Sequence, residues 1–143
     1  MVYSQVVLCA PLCEAENVYA VHGHYANMFS TDSRLGGTAK LQTPYMDTTG
    51  MCVELYYQLQ SSATINTPQI SIYTLDEERQ ETHLAITTGE DRISWDRMFA
   101  RLPDGINQIV IQGTRSSTSY SGMSIDDVVV QSCNIFGETF SDK

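Results

Sequence analysis

The chain has 143 residues, of which 42% are hydrophobic and 9% aromatic, enough for one domain with a real core and too apolar for a disordered chain. Eight basic residues against seventeen acidic ones give a formal net charge of −9. A phosphate backbone or an anionic lipid surface is repelled at long range by such a chain, which argues against nucleic acid as a partner.

Residues 1–13 carry a short apolar stretch without a basic start, so they do not read as an intact signal peptide and Met1 reads as the start of a fragment. Tyr3 to Leu8 is the first candidate strand, and Thr38 to Gln42 is another. The clearest run covers 51–60, where Val53, Leu55, Tyr57 and Leu59 share one face and Glu54, Tyr56, Gln58 and Gln60 the other. Similar alternation marks 69–75, 83–87, 93–102, 106–112 and 123–131. The acidic stretch 76–82 is short enough to be a charged hairpin loop. Turn residues separate the runs: Gly36 and Gly37, Thr48 to Gly50, Thr87 to Gly89, Pro103 to Gly105, and Ser121 with Gly122. No helical period and no internal repeat stands out. No run approaches the roughly 20 apolar residues needed to span a bilayer, so the chain itself is not expected to insert, and any anchor belongs to another part of a parent protein. Many short strands without intervening helices predict an all-β chain, a two-sheet antiparallel β-sandwich of jelly-roll-like form.

Cys9, Cys13, Cys52 and Cys133 are even in number and lack the Cys-x-x-Cys clusters and His partners of structural zinc sites. Two disulfides are the preferred reading. A bridge from Cys52 to Cys133 would close a loop of about 80 residues, worth roughly 4 kcal/mol in a chain-entropy account. Cys9 and Cys13 can pair across a tight turn, with reduced, buried cysteines as the alternative.

The second half of the chain carries a more specific pattern. Cys52 to Tyr57, Ile70 to Tyr73, the strand with Trp95, Gln108 to Gly113, and Ser121 to Val128 followed by Cys133 resemble, in order and spacing, the MAM domain family. Upstream, Gly23 to Tyr25 and Gly37 to Pro44 resemble that family's small-residue strand and its Leu-x-x-Pro segment. The likeness covers residues 23–133, and the N-terminus departs from it: Cys9 to Glu14 stands where the family carries a longer segment with an opening Cys, an aromatic and Glu. One domain is expected, with residues 1–22 a divergent segment holding the first Cys pair, 23–137 the MAM-like core and 138–143 a tail. The resemblance implies a two-sheet jelly roll from an ectodomain, the pairings Cys9–Cys13 and Cys52–Cys133, and an acidic cation site in some members.

Asp126 and Asp127 are the leading candidates for such a site, because neighbours on a regular strand face opposite ways and one carboxylate would then point inward, where an unpaired charge is very costly. A structural Ca²⁺ ion, which takes oxygen ligands, would use one of them with Glu14 or Glu16 and backbone carbonyls. The plainer reading is a carboxylate accepting hydrogen bonds from backbone amides. His22 and His24 flank Gly23 and can share a strand face, but without a third ligand they read as a solvated strand end. Trp95 reads as core beside Met98 and Phe99; as a sugar platform it would have to be exposed. Within the polar loop 114–122, Arg115 and Tyr120 are residue types enriched in binding hot spots, and Tyr56 and Tyr73 are further partner-binding candidates. Asn66 and Thr67 precede Pro68, so no N-glycosylation acceptor is present.

No nucleophile elbow, phosphate-cradling loop or metalloprotease helix motif is present, and the chain is not expected to be an enzyme; a hydrolase with convergent carboxylates would rest on acidity alone. The leading expectation is an extracellular adhesion or recognition module, secreted or part of a membrane protein's ectodomain, that binds a protein ectodomain or self-associates. The alternative is a carbohydrate-binding jelly roll using Tyr56, Tyr73 and Trp95 on a glycan.

Overall fold

The computed structural model describes residues 14–16, 18–21, 25–28, 38–61, 69–88, 95–114 and 121–136. The strand expected over 3–8, the Cys9–Cys13 pairing, His22, His24, Gly36, Gly37, Gly89, Arg115, Tyr120 and the 138–143 tail lie outside the described residues. In chain order the strands are β1 (Glu14–Glu16), β2 (Val18–Val21), β3 (Tyr25–Met28), β4 (Thr38–Gln42), β5 (Met46–Asp47), β6 (Met51–Ser61), β7 (Gln69–Leu75), β8 (Glu81–Thr88), β9 (Asp96–Arg101), β10 (Ile106–Thr114) and β11 (Ser121–Ser132), with a 3-10 turn over Cys133–Phe136. The first sheet runs β1-β4-β10-β7-β8, with β5 also on β10; the second runs β2-β3-β11-β6-β9. Every pairing is antiparallel. The chain is thus the all-β, two-sheet sandwich that the strand pattern predicts, its sequence-distant neighbours forming the crossovers of a jelly roll.

Period-two alternation sorts the core from the outside. Leu41, Val53, Leu55, Leu59, Ile70, Ile72, Ile109 and Ile125 are almost fully buried and interdigitate between the sheets with Tyr57, Met98, Ala100, Leu102, Ile111, Met123 and Val128. β-branched and aromatic residues supply most of these inward positions, which is why the segments are strands. Ser121 and Gly122, expected at a junction, instead lie inside β11, where Gly122 pairs with Gln60.

One element breaks the alternation. Between Asp126, opposite Tyr56, and Val129, opposite Glu54, β11 slips register, so that Asp127 and Val128 together face Leu55. Asp127 takes φ 52°, a left-handed value that Asp tolerates better than most residues. Its amide donates to Asp126 Oδ1 at 2.9 Å. The bulge turns Val128 into the core in place of Asp127, which is exposed, while Asp126 is half-buried. The expected inward-facing carboxylate is therefore corrected: the extra residue lets both side chains stay out of the core.

The acidic stretch is the hairpin loop that its composition predicts. Asp76 Oδ1 accepts the amides of Glu78 and Gln80, both at 2.9 Å, and the Asp76 carbonyl accepts the Arg79 amide. Arg79 sits at φ 64°, where a Cβ is strained and glycine is not. Arg79→Gly is expected to stabilise the fold by about 0.5–1 kcal/mol, read as a higher urea midpoint at constant m; an unchanged or lower midpoint would show that the turn is not strained.

Thr48 ties three segments together. Fully buried, it donates its hydroxyl to the Pro103 carbonyl at 2.6 Å and accepts from Asn107 Nδ2 at 3.0 Å. Its amide donates to the Gly105 carbonyl, and its own carbonyl accepts the Met51 amide. Gly50 and Gly105 take φ 72° and 104° in the two turns around it, values that favour glycine. Nearby, Asp47 Oδ1 accepts the Thr49 amide at 3.0 Å, and hydrogen bonding from Thr49 holds the Asp47 carboxyl below its ordinary value.

At the same end of the sandwich, Cys52 and Cys133 form a disulfide across a sequence separation of 81. The bridge packs under Phe99 and Val129 on the outer side of the second sheet, and the Cys133 amide donates to the Gly50 carbonyl at 3.0 Å.

Candidate functional site

The second sheet carries its most varied chemistry on its outer face. In register across β11, β6 and β9, Asp126 lies opposite Tyr56, and Tyr56 opposite Arg97. One residue before β9, Trp95 has the same parity as Arg97 and Phe99, which puts it on this face. Trp95 is 40% exposed and Tyr56 36%. With Asp126 and Asp127 they line a shallow, open depression of about 210 Å³. The expectation that Trp95 is core is overturned: Met98, Ala100 and Leu102 hold the inward positions, and Trp95 belongs to the other parity.

Beside this depression, the Arg97 guanidinium is held by two neighbours. Its Nε donates to Glu54 Oε2, and its guanidinium carbon lies 4.8 Å from the centre of the Phe99 ring. Both charged side chains are largely covered, at 19% and 16% exposure, and Arg97 Nη2 is buried without a hydrogen-bond partner. Glu54→Ala is expected to cost about 1–2 kcal/mol, because it leaves a mostly covered guanidinium without its counter-charge. Chemical denaturation of the variant checks this, and a loss under 0.3 kcal/mol, about the scatter of exposed pairs, would make the pair a surface one.

A second, larger hollow of about 470 Å³ opens between the edge strands β8 and β9, lined by Tyr57, Ile86, Thr87, Arg97 and Phe99 among others. Thr87 donates its hydroxyl to the Tyr57 oxygen at 3.1 Å. Among the described residues that line the hollow there is no carboxylate.

Of the remaining expected site residues, Tyr73 is corrected. It is 6% exposed, donates its hydroxyl to Gln112 Oε1 at 3.0 Å and stacks on His83 at 5.0 Å between centroids. With Leu75 and Val110 it forms a small cluster of its own, so it is a packing residue of the first sheet and not a binding surface. Burial pushes its phenol above the ordinary value, with Glu81 adding to the effect. Glu14 and Glu16 lie on β1 in the first sheet, paired with Gln42 and Lys40, whereas Asp126 and Asp127 lie in the second. The four residues offered as a calcium set are therefore divided between two sheets, and among the described residues no group of three or more His, Cys, Asp or Glu is arranged to hold a metal.

What the structure does assemble is an aromatic pair beside two successive carboxylates, set on a rigid disulfide-bonded jelly roll. A fold of this kind defines a two-sheet jelly roll of the all-β class. The chain belongs to the MAM domain family (meprin/A5/mu), whose model matches residues 12–134; the match begins within the segment read as divergent. No curated protein matches the chain. Among solved structures, it is similar to the secreted serine protease VesC from Vibrio cholerae (13% identity, TM-score 0.60), covering 91% of this chain and 26% of that one. The chain thus spans about a quarter of VesC. It is also similar to TmCBM61 in complex with β-1,4-galactotriose (10% identity, 90% and 92% coverage, TM-score 0.57). A third likeness is to the K1 cleaved adhesin domain of Lys-gingipain from Porphyromonas gingivalis W83 (16% identity, 85% and 97% coverage, TM-score 0.56). At these identities the likenesses show the fold alone.

Proposed function

We propose that the chain is an extracellular recognition module that binds a protein ectodomain or a second copy of itself through the outer face of its second sheet. The observation that carries this reading is the depression formed by Trp95, Tyr56, Asp126 and Asp127, since partly exposed Trp and Tyr rings beside polar groups are the residue types in which binding hot spots are enriched. Family membership supports an adhesive role, and the long-range disulfide supports an oxidising, extracellular setting. A screen of the oxidised protein against an ectodomain library, repeated with Trp95→Ala, tests it. Binding that disappears in the variant is the expected result; a partner that binds the variant equally well would move the interface off this face, and no partner with no self-association would remove the reading.

A second reading, carbohydrate recognition, is favoured by the exposure of Trp95, because an exposed indole beside hydrogen-bond acceptors can stack on a sugar ring. TmCBM61, with the same fold, was solved with a galactotriose bound. A glycan array probed with the intact chain tests this reading, and silence across neutral hexose oligomers would remove it.

A further inference from the structure

We infer that the free edge of the first sheet, the stretch of β8 from Ala85 to Thr88, docks an extended, uncharged segment of a partner protein as an added strand, with one apolar side chain of that segment seated in the hollow between β8 and β9. This is a second surface, apart from the Trp95 depression. β8 ends the first sheet, and among the described residues it pairs with β7 alone. Every second residue of an edge strand turns its N–H and C=O away from the sheet, a row of groups that another extended backbone satisfies. Charge, proline or a bulge commonly closes such an edge. The edge strands β1 and β9 carry Glu14 and Glu16, and Asp96, Arg97 and Arg101. From Thr82 to Thr88, β8 has no acidic residue, Lys, Arg or Pro. Its one blunting device is the bulge at Leu84, where the register slips between His83 and Ala85; beyond it the pairing is regular through Thr88.

Side-chain positions fit the same occupant. Ala85 and Thr87 stand opposite Ile72 and Ile70, both fully buried, so they face the second sheet, while Ile86 between them faces outward and is 62% exposed. The hollow of about 470 Å³ opens on the inward side, lined by Ala85 and Thr87 from β8 and by Tyr57 and Met98 from the second sheet. Side chains of a strand laid beside β8 alternate in the same way, so every second one points into the space between the sheets at this hollow. Its volume lies within the roughly 300–1,000 Å³ of ligand sites and takes a large apolar side chain. No carboxylate lines it among the described residues, and Arg97 at its rim is paired with Glu54, so a neutral side chain enters at the least cost. On the outer face, Ile86 offers an apolar cross-strand contact to the added strand. A second copy of the chain is a poorer occupant: pairing β8 with β8 presents only Ala85 and Thr87 to the hollow, and two chains of net charge −9 repel.

The experiment titrates the intact, oxidised chain against a fluorescein-labelled peptide with blocked ends, Lys-Thr-Val-Thr-Phe-Thr-Val-Thr-Lys, and reads fluorescence anisotropy. Its Val and Phe residues share one face, and the lysines keep it soluble. Saturable binding is expected. N-methylation of alternate residues removes the N–H groups on one side of the peptide strand: one phase is expected to weaken binding about tenfold, and the other to bind as the parent peptide does. Replacing the peptide's Phe by Ser is expected to weaken binding about tenfold, and so is Ala85→Phe, which fills the hollow from β8 and whose folding thermal unfolding checks. Equal loss with both methylation phases would overturn the strand-addition geometry. Equal binding of a scrambled peptide of the same composition would trace the affinity to its lysines and overturn it as well. So would full binding by a folded Ala85→Phe chain, or no binding of the alternating peptide at all. Sedimentation of the chain alone covers the remaining case: a dimer that Ile86→Lys abolishes would place a second copy on this edge and overturn the assignment to a partner segment.

Discussion

A chain in which Cys52 and Cys133 are both replaced by Ala is expected to lose about 4 kcal/mol of stability, close to 10–15 °C in Tm for a domain of this size. The physical cause is chiefly the unfolded state. The bridge spans 81 positions, so it removes a large part of the freedom of the denatured chain, whereas the partly buried apolar side chains packed on it among the described residues are Phe99 and Val129. Two outcomes separate the causes in one urea titration. If loop closure dominates, the midpoint falls and m rises, because the unlinked denatured chain exposes more surface. If lost packing dominates, the midpoint falls modestly with m unchanged. A drop under 1 kcal/mol would contradict the loop-closure account.

Thr48→Val is expected to cost about 2–4 kcal/mol, although the side chain keeps its shape. Removing the hydroxyl takes the donor from the Pro103 carbonyl and the acceptor from Asn107 Nδ2. Each buried polar group left without a partner costs about 1–3 kcal/mol. Asn107 retains only a 3.4 Å contact to Pro103, too long to compensate. Thr48→Ser keeps the hydroxyl and loses one methyl, so it is expected to cost about 1 kcal/mol. The order of the two variants in thermal unfolding is the check: Ser below Val would mean that the methyl, and not the hydrogen bonds, holds the three segments together.

Much of the fold was legible because most strands keep strict alternation. Val53, Leu55, Tyr57 and Leu59 face the core as their parity requires, and the loop chemistry of Asp76 to Gln80 was readable from composition. Trp95 was misplaced although its parity was available: it shares odd numbering with Arg97 and Phe99, while the core positions Met98, Ala100 and Leu102 are even. The bulge also left a trace. Met123 and Ile125 are odd and Val128 and Val130 even, a slip of phase marking one inserted residue just where two acidic residues occur. Tyr73 was not legible, because its burial comes from Val110, Gln112 and His83, which join it only through strand pairing. β1, β2 and β5 are too short for alternation to register, and the distribution of Glu14 and Asp126 between sheets depends on the crossover alone.

The position of the disulfide also decides how the domain bears load. β11 is a central strand, and its last pair, Ser132 with Met51, sits beside Cys133. A pull applied beyond Cys133 would, in a reduced chain, peel β11 from β6 one hydrogen bond at a time. With the bridge closed, the tension passes covalently from Cys133 into Cys52 and the start of β6, so the ladder that holds the bulge and its two carboxylates in register is bypassed. The oxidised protein can then keep the outer face of its second sheet intact under a force that would unzip the reduced one.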